Sequence, residues 1–213
     1  MATRSIHDEI KTDWEKYLRY GKRLFFRRKS VIYQQGETGS GFYYMDRGMV
    51  KIVTATAHRS QRILDIVGYG RVFGEQVMDQ RPFFSSAVAI EDSIVYHFDC
   101  KRFKELLATA PELLQLFINS TINKISILAT EINLKTLSSE QKIAYSLQKI
   151  IHSSKNNIVS LSQQDLAQFT GLTRITVYKI LKKWQEENII EIKKRKLIVN
   201  QPSRLEKITG LIT

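Results

Sequence analysis

The segment 162–184 places small, capping and basic side chains at spacings that suit two crossing helices in contact with a polyanion. Ser162 and Asp165 form a capping box at the start of one helix. Gly171 ends that helix, and Thr173 can cap a second helix of about three turns. Two short helices joined by a glycine turn predict a helix-turn-helix.

The packing residues of this helix pair are also present. Crossing helices need a small residue at their contact, a glycine able to adopt a positive φ, and an apolar residue beneath the second helix. Ala167, Gly171 and Val177 meet these three requirements. The other residues of the predicted buried face are Leu166, Leu172, Ile180 and Leu181.

The opposite face of the second helix has the chemistry of a surface that reads DNA. Its residues are Thr173, Arg174, Ile175, Thr176, Tyr178, Lys179, Lys182 and Lys183. Arg174 suits a bidentate contact to guanine, and Ile175 suits contact with a thymine methyl group. Lys179 can reach a base or a phosphate. Ser162 and Gln163, at the start of the first helix, are also predicted DNA-binding residues. The alternative is an ordinary solvated basic face.

Directly downstream, an alternating segment predicts a β-hairpin with a strongly basic turn. Ile190 and Ile192 precede the turn, and Leu197 and Val199 follow it. The turn holds four consecutive cations, Lys193, Lys194, Arg195 and Lys196. A hairpin after a helix-turn-helix indicates a wing, whose contact with phosphates would be independent of sequence and sensitive to salt.

The net charge agrees with DNA binding but does not establish it. The chain has 213 residues, with 33 Lys+Arg and 21 Asp+Glu, and a formal net charge of +12. Residues 140–213 hold 13 of the basic and 6 of the acidic residues, so more than half of the surplus lies there. A basic surface without a nucleic-acid partner would have the same composition.

Composition excludes several other kinds of site. The single cysteine, Cys100, rules out intrachain disulfides, cysteine-clustered zinc sites and a cysteine-held iron–sulfur cluster. No segment approaches the ~20 apolar residues of a membrane helix, and residues 1–4 do not open a signal peptide, so we expect a cytoplasmic protein. We do not expect an enzyme, because no phosphate loop, metal-spaced His/Glu set or nucleophile motif is present.

The chain before this region is β-rich. A capping-box-like start predicts a short amphipathic helix over 5–18. Short β-prone runs then alternate with glycine turns, which predicts a sandwich or small barrel. The runs are 24–26, 31–33, 42–45, 50–53, 63–67, 87–90 and 94–98.

A long helix follows the β-rich part. Asp99 can cap a short helix, and Pro111 then suits the first turn of a helix over 111–137. Apolar residues recur along it at steps of three and four: Leu114, Ile118, Ile122, Ile125, Leu128 and Ile132. This stripe predicts a dimerisation face, and the alternative is a core helix packed on its own barrel. Ser138 and Gln141 form a further capping box, which predicts a hinge and a domain boundary there.

Over nearly its whole length the chain resembles the Crp/Fnr family of bacterial transcription regulators. The matching motifs lie at 32–37, 42–45, 48–51, 70–75, 86–87 and 173–177. The resemblance implies an α+β fold with an N-terminal double-stranded β-helix, or jelly-roll, effector barrel, a long dimerisation helix and a C-terminal winged helix-turn-helix. We accordingly expect domains at 1–110, 111–137 and 138–213.

The resemblance also implies an effector pocket, from which this chain departs. Nucleotide-binding members follow a Gly-Glu pair with an arginine that neutralises the cyclic phosphate, and Ser85 stands at that position here. Because burying an unpaired phosphate costs several kcal/mol, we do not expect dependence on cyclic AMP. Arg81 is a candidate substitute for the missing cation. The predicted pocket residues are Gly74, Glu75, Arg81, Ser85, Ser86, Ile127 and Leu128, the last two being apolar where cyclic-AMP-binding members place Thr and Ser.

No cofactor or metal is expected. The oxygen-sensing iron–sulfur members need four cysteines, and no histidine lies in a recognisable haem context. The histidines are His7, His58, His97 and His152. Two regulatory modes remain open, a regulator gated by a non-nucleotide small molecule and a regulator that is constitutively competent for DNA.

The resemblance implies a homodimer that binds an inverted repeat of double-stranded DNA, with RNA polymerase as a partner if it activates transcription. Members that read TGTGA-type half-sites carry Glu where Ile175 stands, and the run 173–177 is closer to members that read TGTA-like half-sites. We therefore expect a palindrome with a G·C pair contacted by Arg174. A non-specific nucleic-acid-binding protein is the distant alternative.

Overall fold

Two four-stranded sheets form the N-terminal part of the fold in the computed structural model, which describes residues 14–55, 61–154, 157–193 and 196–210. The strands are β1 (Lys22–Phe26), β2 (Val31–Tyr33), β3 (Gly41–Arg47), β4 (Val50–Ala55), β5 (Gln61–Val67), β6 (Val72–Phe73), β7 (Ser86–Ala89) and β8 (Ser93–Asp99). The sheet orders are β1-β8-β3-β6 and β2-β7-β4-β5, so most neighbours are distant in sequence, as in a jelly roll.

The antiparallel pair β3 and β8 supplies the centre of the first sheet. Phe42 lies opposite Phe98 and Tyr44 lies opposite Tyr96. Residues two apart on a strand share one face, and Phe42, Tyr44 and Phe98 are all buried. The alternating pattern of these strands therefore directs an aromatic layer into the core.

Two helices close the core of the barrel. Asp99 caps helix α1 (Cys100–Leu107): its side chain accepts hydrogen bonds from the backbone N–H groups of Lys101 and Arg102. Helix α2 (Glu112–Asn133) follows Pro111, and Leu113 in its first turn is fully buried in the aromatic cluster. The indole ring of Trp14 joins the same cluster.

The predicted long helix ends earlier than expected. Helix α2 stops at Asn133, and a 3-10 helix over Leu134–Thr136 replaces its predicted last turn. The capping box that was predicted next is present: Gln141 N donates to Ser138 Oγ (3.3 Å), and Ser138 N donates to Gln141 Oε1 (3.0 Å). It opens helix α3 (Ser139–Ser154).

Three further helices and a small sheet form the C-terminal part. They are β9 (Ile158–Val159), α4 (Gln163–Thr170), α5 (Arg174–Glu186), β10 (Ile190–Lys193), β11 (Lys196–Val199) and α6 (Pro202–Thr209). The sheet has the order β10-β11-β9. This arrangement is the predicted winged helix-turn-helix. Within the described ranges of the chain, no helix is long and apolar enough to cross a membrane.

Several short elements differ from the sequence prediction. The predicted helix over 5–18 lies largely outside the described residues, and its described end forms a 3-10 helix over Glu15–Tyr20. Strands β6 and β9 were not predicted, because two residues are too few to show a period. Helix α6 was also missed, although Pro202 at its first turn is a start signal.

The contacts divide the chain into two compact units. The first comprises Met1–Val50 and Val67–Ile132, and the second comprises Lys51–Ile66 and Asn133–Thr213. Most of β4 and β5 therefore belongs with the helix-turn-helix. Two ion pairs hold these strands there, one between Lys51 Nζ and Asp165 Oδ1 (2.6 Å) and one between Lys149 Nζ and Asp65 Oδ1 (3.3 Å).

Asp165 should make the second unit sensitive to acid. Burial acts to raise the pKa of Asp165, but hydrogen bonds from Lys51 and Ser162 and the charge of Lys51 outweigh it and lower that pKa. A lowered folded-state pKa gives stability above the unfolded-state value, and that stability is lost as pH falls through the folded-state value. Asp165→Asn should therefore reduce the free energy of unfolding by about 1–2 kcal/mol at pH 7 and by much less at pH 3.

Urea unfolding at both pH values measures the difference. The control is Asp79→Asn, which breaks an exposed ion pair with Arg81 and should change the free energy by less than about 0.5 kcal/mol. Equal losses for Asp165→Asn at pH 7 and pH 3 would contradict the assignment.

Candidate nucleic-acid interface and effector pocket

The helix-turn-helix is built from the residues that the sequence indicated. The capping box of Ser162 and Asp165 opens α4, and Gly171 ends it with a φ of +72°. Gly171 N donates to Ala167 O (2.9 Å), which closes the last turn. Ala167 and Val177 are buried where the two helices meet. The turn needs glycine because this φ is in the left-handed region.

Helix α5 presents a basic and partly apolar face to solvent. Thr173 Oγ1 accepts a hydrogen bond from Thr176 N (3.1 Å) and caps the helix. Beneath it, Val177, Leu181 and Trp184 are buried. The exposed residues are Thr173, Arg174, Ile175, Tyr178, Lys179, Lys182 and Lys183, whereas Thr176 is half-buried. Ile175 is 68% exposed, which no packing role explains and which suits contact with a base.

A cavity lies between this face, the start of α4 and the wing. Its volume is about 450 Å³. The lining brings together predicted DNA-binding residues from three elements, namely Ser162, Gln163, Arg174 and Lys196. The structure therefore collects side chains that are separated in sequence around one concave surface.

The wing is a two-stranded hairpin in which Lys193 pairs with Lys196 across the strands. Lys194 and Arg195 lie outside the described residues. Lys193 Nζ lies 2.8 Å from Glu191 Oε1 in an exposed ion pair. The described cations of the wing are solvent-facing, as phosphate contact requires.

Lys183 differs from the other predicted DNA-binding lysines. Its ammonium lies 3.1 Å from Glu140 Oε1 on α3, and Trp184 Nε1 donates to the same oxygen (2.8 Å). The hydrogen bond from Trp184 lowers the pKa of Glu140, and the hydrogen bond to Glu140 raises the pKa of Lys183. Lys183 thus ties α5 to α3, and its contact with DNA stays a prediction. Among the described residues, Arg174, Lys179 and Lys182 form no ion pair.

The barrel pocket is organised around Glu75. This residue begins a 3-10 helix directly after Gly74, which has a φ of +80°. Its side chain is 13% exposed and forms an ion pair with Lys124 of α2. The other carboxylate oxygen, Oε2, is buried and has no hydrogen-bond partner in the described part of the chain.

At the position of the missing arginine, the protein has its own polar network. Ser85 is fully buried, and Gln76 Nε2 donates to Ser85 Oγ (3.2 Å). Tyr33 hydrogen-bonds to Ser85 and Gln76, while burial raises the pKa of Tyr33. The Tyr33 ring stacks on Phe83 with 3.9 Å between centroids. No described cation lies in this network.

Arg81 does not replace the missing cation. Its side chain is 83% exposed and its Nε lies 3.2 Å from Asp79 Oδ2. In this structure Arg81 is therefore paired with Asp79 at the surface and not with Ser85, the position of the missing arginine. Ser86 Oγ accepts a hydrogen bond from Gln35 N (2.9 Å). On α2, Ile127 is half-buried and Leu128 is exposed.

Lys124 was not predicted from sequence. A signal was present, because Lys124 is the single cation within the helix 112–133 and interrupts its apolar pattern. Tyr33 was not predicted either, because a tyrosine in a short β run is equally typical of an ordinary core. The roles of both residues depend on contacts with residues far away in sequence: Lys124 pairs with Glu75, and Tyr33 hydrogen-bonds to Ser85 and Gln76.

The predicted dimerisation stripe faces solvent in the protomer. Its six members are between 40% and 63% exposed: Leu114, Ile118, Ile122, Ile125, Leu128 and Ile132. The neighbouring Leu113 and Leu116 are buried against the barrel. The start of the helix is therefore packed against the barrel, and the stripe is exposed in the described part of the protomer.

The other reactive groups serve packing. Cys100 Sγ contacts Met78 Sδ at 3.4 Å, and burial raises the pKa of the Cys100 thiol, which disfavours a reactive thiolate. His97 packs on Tyr43, and burial lowers its pKa. No group of three His, Cys, Asp or Glu side chains suited to a metal occurs within the described ranges.

Comparison with known proteins agrees with this architecture. Residues 23–110 match the family model of the cyclic nucleotide-binding domain, and residues 141–208 match that of the Crp-like helix-turn-helix domain. The chain belongs to the Crp/Fnr family of transcription regulators. Crp-family regulators bind DNA, typically act as dimers and are generally not enzymes.

Relatives within the Crp/Fnr family are distant but nearly full-length. The cyclic AMP receptor protein of Thermus thermophilus is 24% identical over 195 residues, which cover 90% of this chain and 89% of that protein. A solved Crp-family regulator of Thermus thermophilus superposes with a TM-score of 0.77 at 23% identity, over 89% of this chain and 97% of the other. FixK2 of Bradyrhizobium japonicum gives a TM-score of 0.78 at 16% identity, over 91% and 99%. These structures share the fold.

Proposed function

We propose that this Crp/Fnr regulator binds a palindromic operator as a homodimer and does so without cyclic AMP. The observation that carries the proposal is the exposed face of α5, where Arg174, Lys179 and Lys182 have no ion-pair partner among the described residues. Cations held in this way on a recognition helix are available for bases and phosphates.

Arg174 is the residue we assign to base recognition. It lies in the first turn of α5 and lines the cavity shared with the wing. A recognition helix contacts base edges with its N-terminal residues, and arginine forms two parallel hydrogen bonds with guanine. Ile175, directly beside it, supplies the apolar contact that suits a thymine methyl group.

Arg174→Ala should weaken binding to the preferred operator by about 1–3 kcal/mol and relax the preference at one G·C pair. Competition binding against operators changed at single positions measures both effects. Lys182→Ala is the matched comparison, because loss of a phosphate contact weakens all sequences equally and lowers the salt slope by about one. Equal loss across all sequences for Arg174→Ala would favour a non-specific nucleic-acid-binding protein instead.

The stripe on α2 supports a homodimer. A row of exposed large apolar side chains along one face of a helix is buried by a second copy of the same helix. Two recognition helices related by a two-fold axis would then enter successive major grooves ~34 Å apart. A symmetric protein of this kind suits an inverted repeat.

Ile125→Asp should weaken dimerisation by at least about 2 kcal/mol, because it places a charge in the centre of the stripe. Sedimentation equilibrium gives the dimer dissociation constant directly. Ser126→Asp adds the same charge at the next, exposed position outside the stripe and should leave the dimer intact. If the dimer dissociation constant of Ile125→Asp equals that of the wild type, the stripe is not the interface.

The polar network at Ser85 supports independence from cyclic AMP. A cyclic phosphate placed there would meet a buried hydroxyl already bonded to Gln76 and would have no described cation to neutralise it. Several of the relatives, including the cyclic AMP receptor protein of Thermus thermophilus, are named for that nucleotide. The positive charge that the structure places near this region, that of Lys124, is paired with Glu75, and the position of Ser85 lacks the cation that such binding needs.

Cyclic AMP at millimolar concentration should change the operator affinity of the wild-type protein by less than about twofold, because no favourable phosphate contact is formed. Fluorescence anisotropy with labelled operator measures this. A tenfold or larger increase would restore the nucleotide-gated alternative. If the protein binds the operator tightly without any ligand, it is constitutively competent for DNA binding and not gated by a non-nucleotide small molecule. RNA polymerase is a further proposed partner if the regulator activates transcription.

A further inference from the structure

The packing of α2 changes along its length. Leu113 and Leu116 are buried near the start of the helix. Beyond Leu116, none of the side chains that are described on α2 is fully buried. The middle of the helix therefore lacks the apolar anchoring of its first turns, although it bears the centre of the exposed stripe.

The ion pair between Lys124 and Glu75 lies in this weakly packed region. Lys124 is two helical turns beyond Leu116, or about 12 Å along the axis. The two side chains are 26% and 13% exposed, so both charges are largely withdrawn from water. Removing the positive charge of Lys124 takes the counter-ion away from the Glu75 carboxylate, which is largely withdrawn from water.

The carboxylate follows a closely packed turn of the barrel. Gly74 precedes it with a positive φ, and a Cβ at Gly74 would lie 3.1 Å from the Tyr33 ring and 3.2 Å from the Tyr43 ring. The aromatic rings thus fix the backbone from which Glu75 projects. The ion pair with Glu75 therefore attaches helix α2 to this part of the barrel.

We propose that this ion pair is an internal substitute for an effector, resting on the function proposed above. Lys124 supplies, from α2, the positive charge at the pocket, and it connects the pocket to the dimerisation helix with no external ligand. Ile125 and Leu128 lie one and four residues after Lys124, so anchoring Lys124 on the barrel also sets the direction in which the stripe faces. The protein is thereby held in the form that binds DNA.

The test compares Glu75→Gln and Lys124→Gln with the wild type, and Lys124→Arg keeps the charge. The matched control is Arg81→Gln, which breaks an exposed ion pair in the same segment. Operator affinity is measured by anisotropy without effector, at protein concentrations well above the dimer dissociation constant. Hydrogen–deuterium exchange of residues 118–130 is measured in the absence of DNA.

We expect both neutral variants to bind the operator about tenfold more weakly and to exchange faster in 118–130, while Lys124→Arg and Arg81→Gln resemble the wild type. If Glu75→Gln disrupts the barrel, as circular dichroism would reveal, the more exposed Lys124→Gln decides. Wild-type affinity and exchange in Lys124→Gln would overturn the proposal. A severalfold increase in wild-type affinity with millimolar adenosine would also overturn it, because the unpaired Oε2 of Glu75 would then take a ligand hydroxyl.

The exchange experiment separates this inference from the proposed function. If the wild-type protein binds no palindrome, the proposed function fails, and the role of the ion pair as an anchor of α2 is still decided by exchange. If the wild type binds its operator and the neutral variants bind equally well, the inference alone fails.

Discussion

The exposed apolar face of α2 is the constraint on which the rest of the architecture depends. Ile122, Ile125 and Leu128 are each more than half exposed in the protomer, and apolar surface in water costs free energy in proportion to its area. A two-fold axis beside the helix would bury the stripes of both copies against each other. Because each winged helix follows its own copy of α2 in sequence, that axis would also make the two recognition helices equivalent and suit them to an inverted repeat.

The negative charge of Glu75 in the barrel is paired with a cation of the same chain. Glu75 is a largely buried carboxylate, and such a group needs a nearby cation or a bound ligand to offset its desolvation. Lys124 provides that cation from the long helix. In the same part of the barrel, Gln76 Nε2 donates a hydrogen bond to Ser85 Oγ, and the Tyr33 and Phe83 rings stack. The ion pair between Glu75 and Lys124 thus connects this part of the barrel with α2.

The basic surplus of the C-terminal region serves two purposes. Lys149 and Lys183 form ion pairs with Asp65 and Glu140, so their charge contributes to packing inside the second unit. Lys179 and Lys182 remain on the solvent side of α5. A count of cations overstates the charge available to DNA, because ammonium groups already bound to carboxylates offer less to phosphates.

Local chemistry was sufficient for much of the fold. The capping boxes at Ser138 and Ser162, the turn at Gly171 and the basic face of α5 could all be predicted, because each depends on residues within one helix or one turn of each other. The alternation of the main strands was predictable for the same reason. The ends of helices and strands were less predictable. Helix α2 is followed by a 3-10 helix that starts at the buried residue Leu134, and burial depends on contacts that exist only in the folded chain.

Contacts between distant residues were decided by the tertiary structure alone. The pairings of Lys124 with Glu75, Lys51 with Asp165 and Lys183 with Glu140 join residues more than forty positions apart. Lysine has a long, flexible side chain that serves equally on a solvated surface or in an ion pair, so its neighbours in sequence do not reveal which role it takes. By itself, the sequence therefore determined that this chain is a winged-helix regulator that lacks the phosphate-binding arginine. Only the folded chain determined which lysine pairs with Glu75.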